Sequence, residues 1–131
     1  MIGLDTNVLA RYIMQDDAKQ SALANKVVES LTVDAPGFIA LVSVVELVWV
    51  LSSAYHLDRT QLAAVLEGLM RTKELIVERA EIIWKAVRVF RGTSADFADC
   101  LIERSAMSAG CDRTMTFDRG AAKNCGMTLI S

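Results

Sequence analysis

The chain has 131 residues, 53% of them hydrophobic, and a formal net charge of −2. That suits one domain, 1–131, with one core, and excludes a strongly basic protein that coats nucleic acid. Three cysteines without CxxC spacing and a single histidine, His56, make a zinc site or a disulfide framework improbable, and reduced buried thiols in a cytoplasmic protein fit better.

Met1 to Leu4 is short and apolar and stops at Asp5-Thr6-Asn7, which predicts a buried strand followed by a helix start. From Asp17 to Leu31, the positions Ala18, Ala22, Leu23, Val27, Val28 and Leu31 recur with helical rhythm. After the only proline, Pro36, the run Phe38 to Leu41 reads as a second strand. Ser43-Val44-Val45-Glu46 has the form of a capping box, predicting a helix from Val44 to about Tyr55. An amphipathic helix spans Thr60 to about Met70, and Leu75 to Val77 forms a strand. Ala80 to Phe90 is a helix with Ile83, Val87 and Phe90 on one stripe, ended by Gly92. Ser94 is placed to cap a helix over Ala95–Ala109, ended by Gly110. Arg113 to Phe117 alternates like a strand and stops at Asp118. A short helix near Ala121–Asn124 and a last strand, Met127 to Ile130, complete the chain.

Strands alternating with helices predict an α/β fold, a mostly parallel sheet covered on both faces. Ligands then sit beyond the carboxyl ends of the strands. Asp5 and Asp118 are each the first charged residue after a strand, and the architecture is expected to bring them to one edge. Glu46 and Asp99 fall in first helical turns, and Asp96 precedes Asp99 by three residues, on the same helix face. Each acid has a bland alternative as a turn former or helix cap. Together, four carboxylates at one sheet edge would repel unless a cation neutralised them. Magnesium or manganese accepts such oxygen donors, lowers the pKa of a bound water and stabilises charge on a phosphoryl oxygen.

Other catalytic designs find less support. There is no GxSxG elbow and no GxxxxGK[ST] loop, and one imidazole cannot supply a separate acid and base. An aspartyl-phosphate phosphohydrolase commonly needs a second acid two residues after the nucleophile, where Asn7 stands. A binding module that has lost catalysis is the other rival, and the intact quartet argues against it.

At this point four motifs resemble those of the PIN-domain ribonucleases, specifically the VapC toxins of type II toxin–antitoxin pairs. They are Ile2-Gly3-Leu4-Asp5-Thr6-Asn7-Val8-Leu9, Ser43-Val44-Val45-Glu46-Leu47, Asp96-Phe97-Ala98-Asp99-Cys100-Leu101-Ile102 and Thr116-Phe117-Asp118-Arg119, in that order along nearly the whole chain. The resemblance implies a three-layer α/β/α sandwich with a central sheet of about five strands. It further implies endoribonuclease activity dependent on Mg2+ or Mn2+, and inhibition by a cognate antitoxin. By position, Asp5, Glu46, Asp99 and Asp118 would be the acidic quartet. Asp5 and Asp99 would be the most direct ligands, Thr6 and Thr116 would orient carboxylates, and Asp96 would be an extra acid. Cys100 stands where the family often has a smaller residue.

Two surface expectations remain. Val48, Trp49, Leu51, Leu62, Val65, Leu66 and Leu69 supply apolar surface for an antitoxin helix or a homodimer face, unless most of them are core. Residues 71–131 carry ten Lys and Arg against eight Asp and Glu, a net +2, against −4 for residues 1–70. Most of that excess lies in Arg71, Lys73, Arg79, Lys85, Arg88 and Arg91, which either guide a phosphate backbone or form a solvated helix face. The sequence predicts no secretory signal, and its longest apolar run, Phe38 to Leu51, is shorter than the roughly 20 residues that span a bilayer.

Overall fold

The computed structural model describes Met1–Ser131, and the chain folds as two compact units, Met1–Glu78 and Arg79–Ser131. In the first unit the order is β1 (Ile2–Gly3), α1 (Thr6–Met14), α2 (Ala18–Glu29), β2 (Gly37–Ile39), α3 (Leu41–Ser53), α4 (Arg59–Arg71) and β3 (Leu75–Val77). The strands form one parallel sheet in the order β1-β2-β3, with Gly3 opposite Phe38 and Phe38 opposite Ile76. A helical pair separates each strand from the next, as parallel pairing demands.

Close packing around β2 explains Gly37. A Cβ there would lie 2.9 Å from Leu31 Cδ1 and from Leu4 Cδ1, so any side chain would displace two leucines of the core. Ile39, Val44, Leu47, Leu51, Ala63 and Leu66 fill that core. α1 stops at Gln15, which takes the left-handed conformation (φ 52°) and returns its N–H to Arg11 O. The Gln15 amide then exchanges hydrogen bonds with Asn25 of α2, at 2.7 and 3.1 Å. Asp16, in the α1–α2 turn, accepts from Arg11 Nη1 at 2.8 Å and from Tyr55 Oη at 2.7 Å. These bonds, Tyr55 first, hold the Asp16 carboxyl below its ordinary range.

The second unit contains α5 (Ala80–Gly92), α6 (Phe97–Ser108), β4 (Met115–Thr116), α7 (Arg119–Cys125) and β5 (Thr128–Leu129). β4 and β5 pair in parallel across α7, with Met115 opposite Thr128. Phe90 of α5 meets Phe97 of α6 edge to face, ring centroids 5.7 Å apart, and Ile82, Ile83, Ala86, Val87 and Leu101 are buried beside them. The thiols of Cys100 and Cys125 are free and buried, their sulfurs 3.8 Å apart.

The α/β class, the five strands and their parallel sense agree with the sequence reading. Several details are corrected. The strands form a three-stranded sheet in the first unit and a two-stranded one in the second, not one ladder of five. β1 is not a buried strand: Ile2 and Gly3 are exposed, and burial begins at Leu4. The Ser43–Glu46 capping box does not form. α3 begins three residues earlier than expected, at Leu41, whose N–H is satisfied by the Glu78 carboxylate at 2.8 Å. Asp96 rather than Ser94 caps α6, and Gly92 is the last residue of α5 rather than a residue beyond it. Val48, Leu51, Leu62, Leu66 and Leu69 are core and Val65 is half-buried, which leaves Trp49, 68% exposed, as the open member of the expected partner surface. No helix is long and apolar enough to cross a membrane.

Candidate active site

The first unit offers two acids. The Leu4 N–H donates to Phe38 O at 2.8 Å, continuing the ladder one residue past β1, and Asp5 follows at once as the N-cap residue of α1. An aspartate in this position ordinarily accepts a hydrogen bond from the helix's first turn. Asp5 makes no such bond, and its carboxylate is exposed. Next to it in the chain, Thr6 is buried, and its Oγ1 has no hydrogen-bond partner. A buried hydroxyl without a partner costs roughly 1–3 kcal/mol, which points to a polar group that belongs there. Glu46 lies in the second turn of α3, exposed, between buried Val44 and Leu47. α1 and α3 both start at the carboxyl edge of the β1–β2 pair and pack together, so Asp5 and Glu46 rise from neighbouring helices at the edge where α/β sheets bind ligands.

The second unit offers three. Asp96 caps α6: its Oδ1 accepts from the N–H of Ala98 at 2.8 Å and of Asp99 at 3.3 Å. Asp118 follows β4 and caps α7, its Oδ1 accepting from the Ala121 N–H at 2.9 Å, while its own N–H donates to Thr116 Oγ1 at 3.0 Å. Asp99 has neither hydrogen bond nor ion pair at its carboxylate. Burial raises its pKa most, and the charges of Asp96 and then Asp118 raise it further. The structure therefore brings Asp96, Asp99 and Asp118 into electrostatic range of one another. Within neither unit do three His, Cys, Asp or Glu side chains converge on one ion position. Thr116 holds the backbone of Asp118 rather than a carboxylate, and Thr6 holds none.

Two further acids escaped the sequence reading. Glu78 directly follows β3, as Asp5 follows β1, and the rule of the first acid after a strand would have found it; its carboxylate is spent on α3. Glu103, one turn after Asp99 on α6, is buried and paired with Arg104. Its i+4 spacing from Asp99 was the available signal.

Taken unit by unit, the donors are of the chemical type a divalent cation accepts: Asp5 and Glu46 in the first unit and Asp99 in the second are hard oxygen donors without hydrogen-bond partners, and the repulsion on Asp99 is the kind a cation relieves. The raised pKa of Asp99 means that its ionisation destabilises the fold as pH rises from the unfolded value through the folded one, and the cost is fully present at neutral pH. Asp99→Asn should therefore raise the thermal midpoint of the metal-free protein at pH 7. Manganese should raise the midpoint of the parent and leave the variant unmoved. Differential scanning fluorimetry with and without EDTA checks both, and a parent indifferent to manganese would contradict the cation site.

The family model of the PIN domain matches residues 2–126, a span that includes all five of these acids and runs across both units. Among curated proteins, the VapC ribonuclease of Aquifex aeolicus (strain VF5) is 24% identical over 116 residues, covering 88% of this chain and 86% of that one.

Proposed function

The chain belongs to the PIN domain family, and from that premise we propose that it is a metal-dependent endoribonuclease, the toxin of a toxin–antitoxin pair. The observation that carries the reading is Asp99. It is a carboxylate in the first turn of α6, left without a hydrogen bond and crowded by burial and two further acids. A fold tolerates such a group where a ligand completes it.

In this reading the whole chain is one catalytic domain, supported by a family match that spans both units. Asp5, Glu46, Asp99 and Asp118 hold Mg2+ or Mn2+, with Asp5 and Asp99 as the most direct donors and Asp96 as an accessory charge. When bound, such an ion lowers the pKa of a water and neutralises charge on a phosphoryl oxygen. The residues of the chain do the rest. The Asp118 carboxylate is aimed by its bond to the Ala121 N–H, and its backbone by Thr116. The amino ends of α6 and α7 add positive potential where Asp99 and Asp118 gather and where a phosphodiester would lie. Hydrolysis there leaves 3′-hydroxyl and 5′-phosphate ends.

The partners are RNA and a protein antitoxin, with a second copy of the chain as a homodimer, in the cytoplasm. The surface that best suits a partner helix is the groove between α1 and α2, lined by Val8, Leu23, Ala24 and Val27 and edged by Arg11 and Gln20. Of the basic stretch, Arg71 pairs with Glu67 and Arg79 with Glu81, while Lys85 and Arg88 stand exposed on α5.

The test is cleavage of total cellular RNA by the purified protein. Discrete fragments with 5′-phosphate ends are expected in magnesium or manganese, with at least about a hundredfold loss in excess EDTA and recovery on adding metal back. Cleavage that survives EDTA would refute the metal assignment, and no cleavage with either metal would refute the nuclease.

A further inference from the structure

We propose that Phe117 is a base-stacking platform that positions unpaired RNA beside Asp118, with Arg119 receiving the adjoining phosphate; this rests on the nuclease reading above. Phe117 is 81% exposed, the most open of the large apolar side chains in the chain. It does not lie on a loose loop. On one side, Thr116 O accepts from the Ile130 N–H at 2.8 Å, and Thr116 Oγ1 accepts from the Asp118 N–H at 3.0 Å. On the other, Asp118 Oδ1 accepts from the Ala121 N–H at 2.9 Å. The backbone is thus pinned on both flanks of a phenyl ring that contacts no other ring.

The surroundings point to an anionic, base-bearing occupant. Around β4, Arg113, Met115 and Phe117 are all exposed. Arg119 and Lys123, on the helix that Asp118 caps, are also exposed. Met115, Leu129 and Ile130 on or beside the same strand pair are also open, but the ring is followed directly in the chain by the candidate catalytic acid Asp118 and by exposed Arg119. The centre of a protein-binding patch excludes such charge, which favours an anionic, base-bearing occupant. Aromatic rings stack on any unpaired base, while cations track the phosphates. In a duplex the base faces are already occupied, so the arrangement selects unpaired nucleotides.

The experiment uses an unstructured oligoribonucleotide carrying 2-aminopurine at successive positions, whose fluorescence is quenched on stacking. The parent protein should quench one position near the cut. Phe117→Ala should abolish that quench and raise KM about tenfold, with kcat within about twofold and the thermal midpoint unchanged. Phe117→Trp should restore both quench and KM. Quench and KM unchanged in Phe117→Ala would overturn the inference. So would a loss of self-association, measured by sedimentation equilibrium, with KM intact, since the ring would then be a protein contact. If the parent itself cleaves no RNA, the nuclease reading falls and this one with it; a parent that cleaves and a Phe117→Ala that matches it sink this inference alone.

Discussion

Replacing Asp5 by Asn should reduce RNA cleavage at saturating magnesium by about a thousandfold, with the thermal midpoint held within about 2 °C. The size is that of removing one preorganised charge contact from a reacting centre. The separation of activity from stability follows from the local geometry. Asp5 begins α1 without using its side chain as a cap, so the folded state draws no hydrogen bond from the carboxylate. Asparagine is an equally good residue at that position and has nearly the same shape. Cleavage is measured under initial-rate conditions with magnesium raised until the rate no longer changes, and the fold is checked by circular dichroism. A variant as active as the parent would remove Asp5 from the site. Loss of activity together with a collapse of the fold would make Asp5 a structural residue.

The largest effect on stability is expected at Phe90, away from every candidate ligand. It is 3% exposed and stands edge to face against Phe97, the first residue of α6. Truncation to alanine removes the ring from a packed interior and leaves a cavity, which costs about 3–5 kcal/mol. For a domain of this size the thermal midpoint should fall by more than about 10 °C. Phe90→Leu keeps most of the volume and should cost about 1.5 kcal/mol or less. Urea denaturation followed by circular dichroism distinguishes the two. Because α6 carries Asp99 and is capped by Asp96, Phe90→Ala should also lower kcat under conditions where the protein is still folded. A loss below 1 kcal/mol would mean that the α5–α6 contact is not the core of the second unit.

Much of this molecule was readable from residue order. The helical rhythm of Asp17–Leu31 and Thr60–Met70 located α2 and α4 to within about two residues. Helix starts were less legible. Ser43-Val44-Val45-Glu46 matches a capping box in spelling, yet the N–H that needed a partner was found by Glu78, 37 residues away from Leu41 along the chain. Ser94 and Asp96 both spell a cap, and only the conformation at Asp96 turns one of them into it. The apolar residues of α3 and α4 illustrate the same limit. Val48, Leu51 and Leu69 look identical on paper to a docking surface and to a core, and only their burial in the folded unit makes them core.

By itself the sequence determined which chemistries were open: an α/β chain with one imidazole, four ordered acidic motifs and no phosphate loop, because residue type and spacing are local properties of the polymer. Only the tertiary structure decided which carboxylates are occupied and which are left over. Asp96 and Asp118 are engaged by helix N–H groups, Glu78 by α3 and Glu103 by Arg104, whereas Asp5, Glu46 and Asp99 are not. The reason is that a hydrogen bond needs a partner within about 3 Å at the right angle. For most of these groups that is settled by the backbone's path through space and not by the letters beside it.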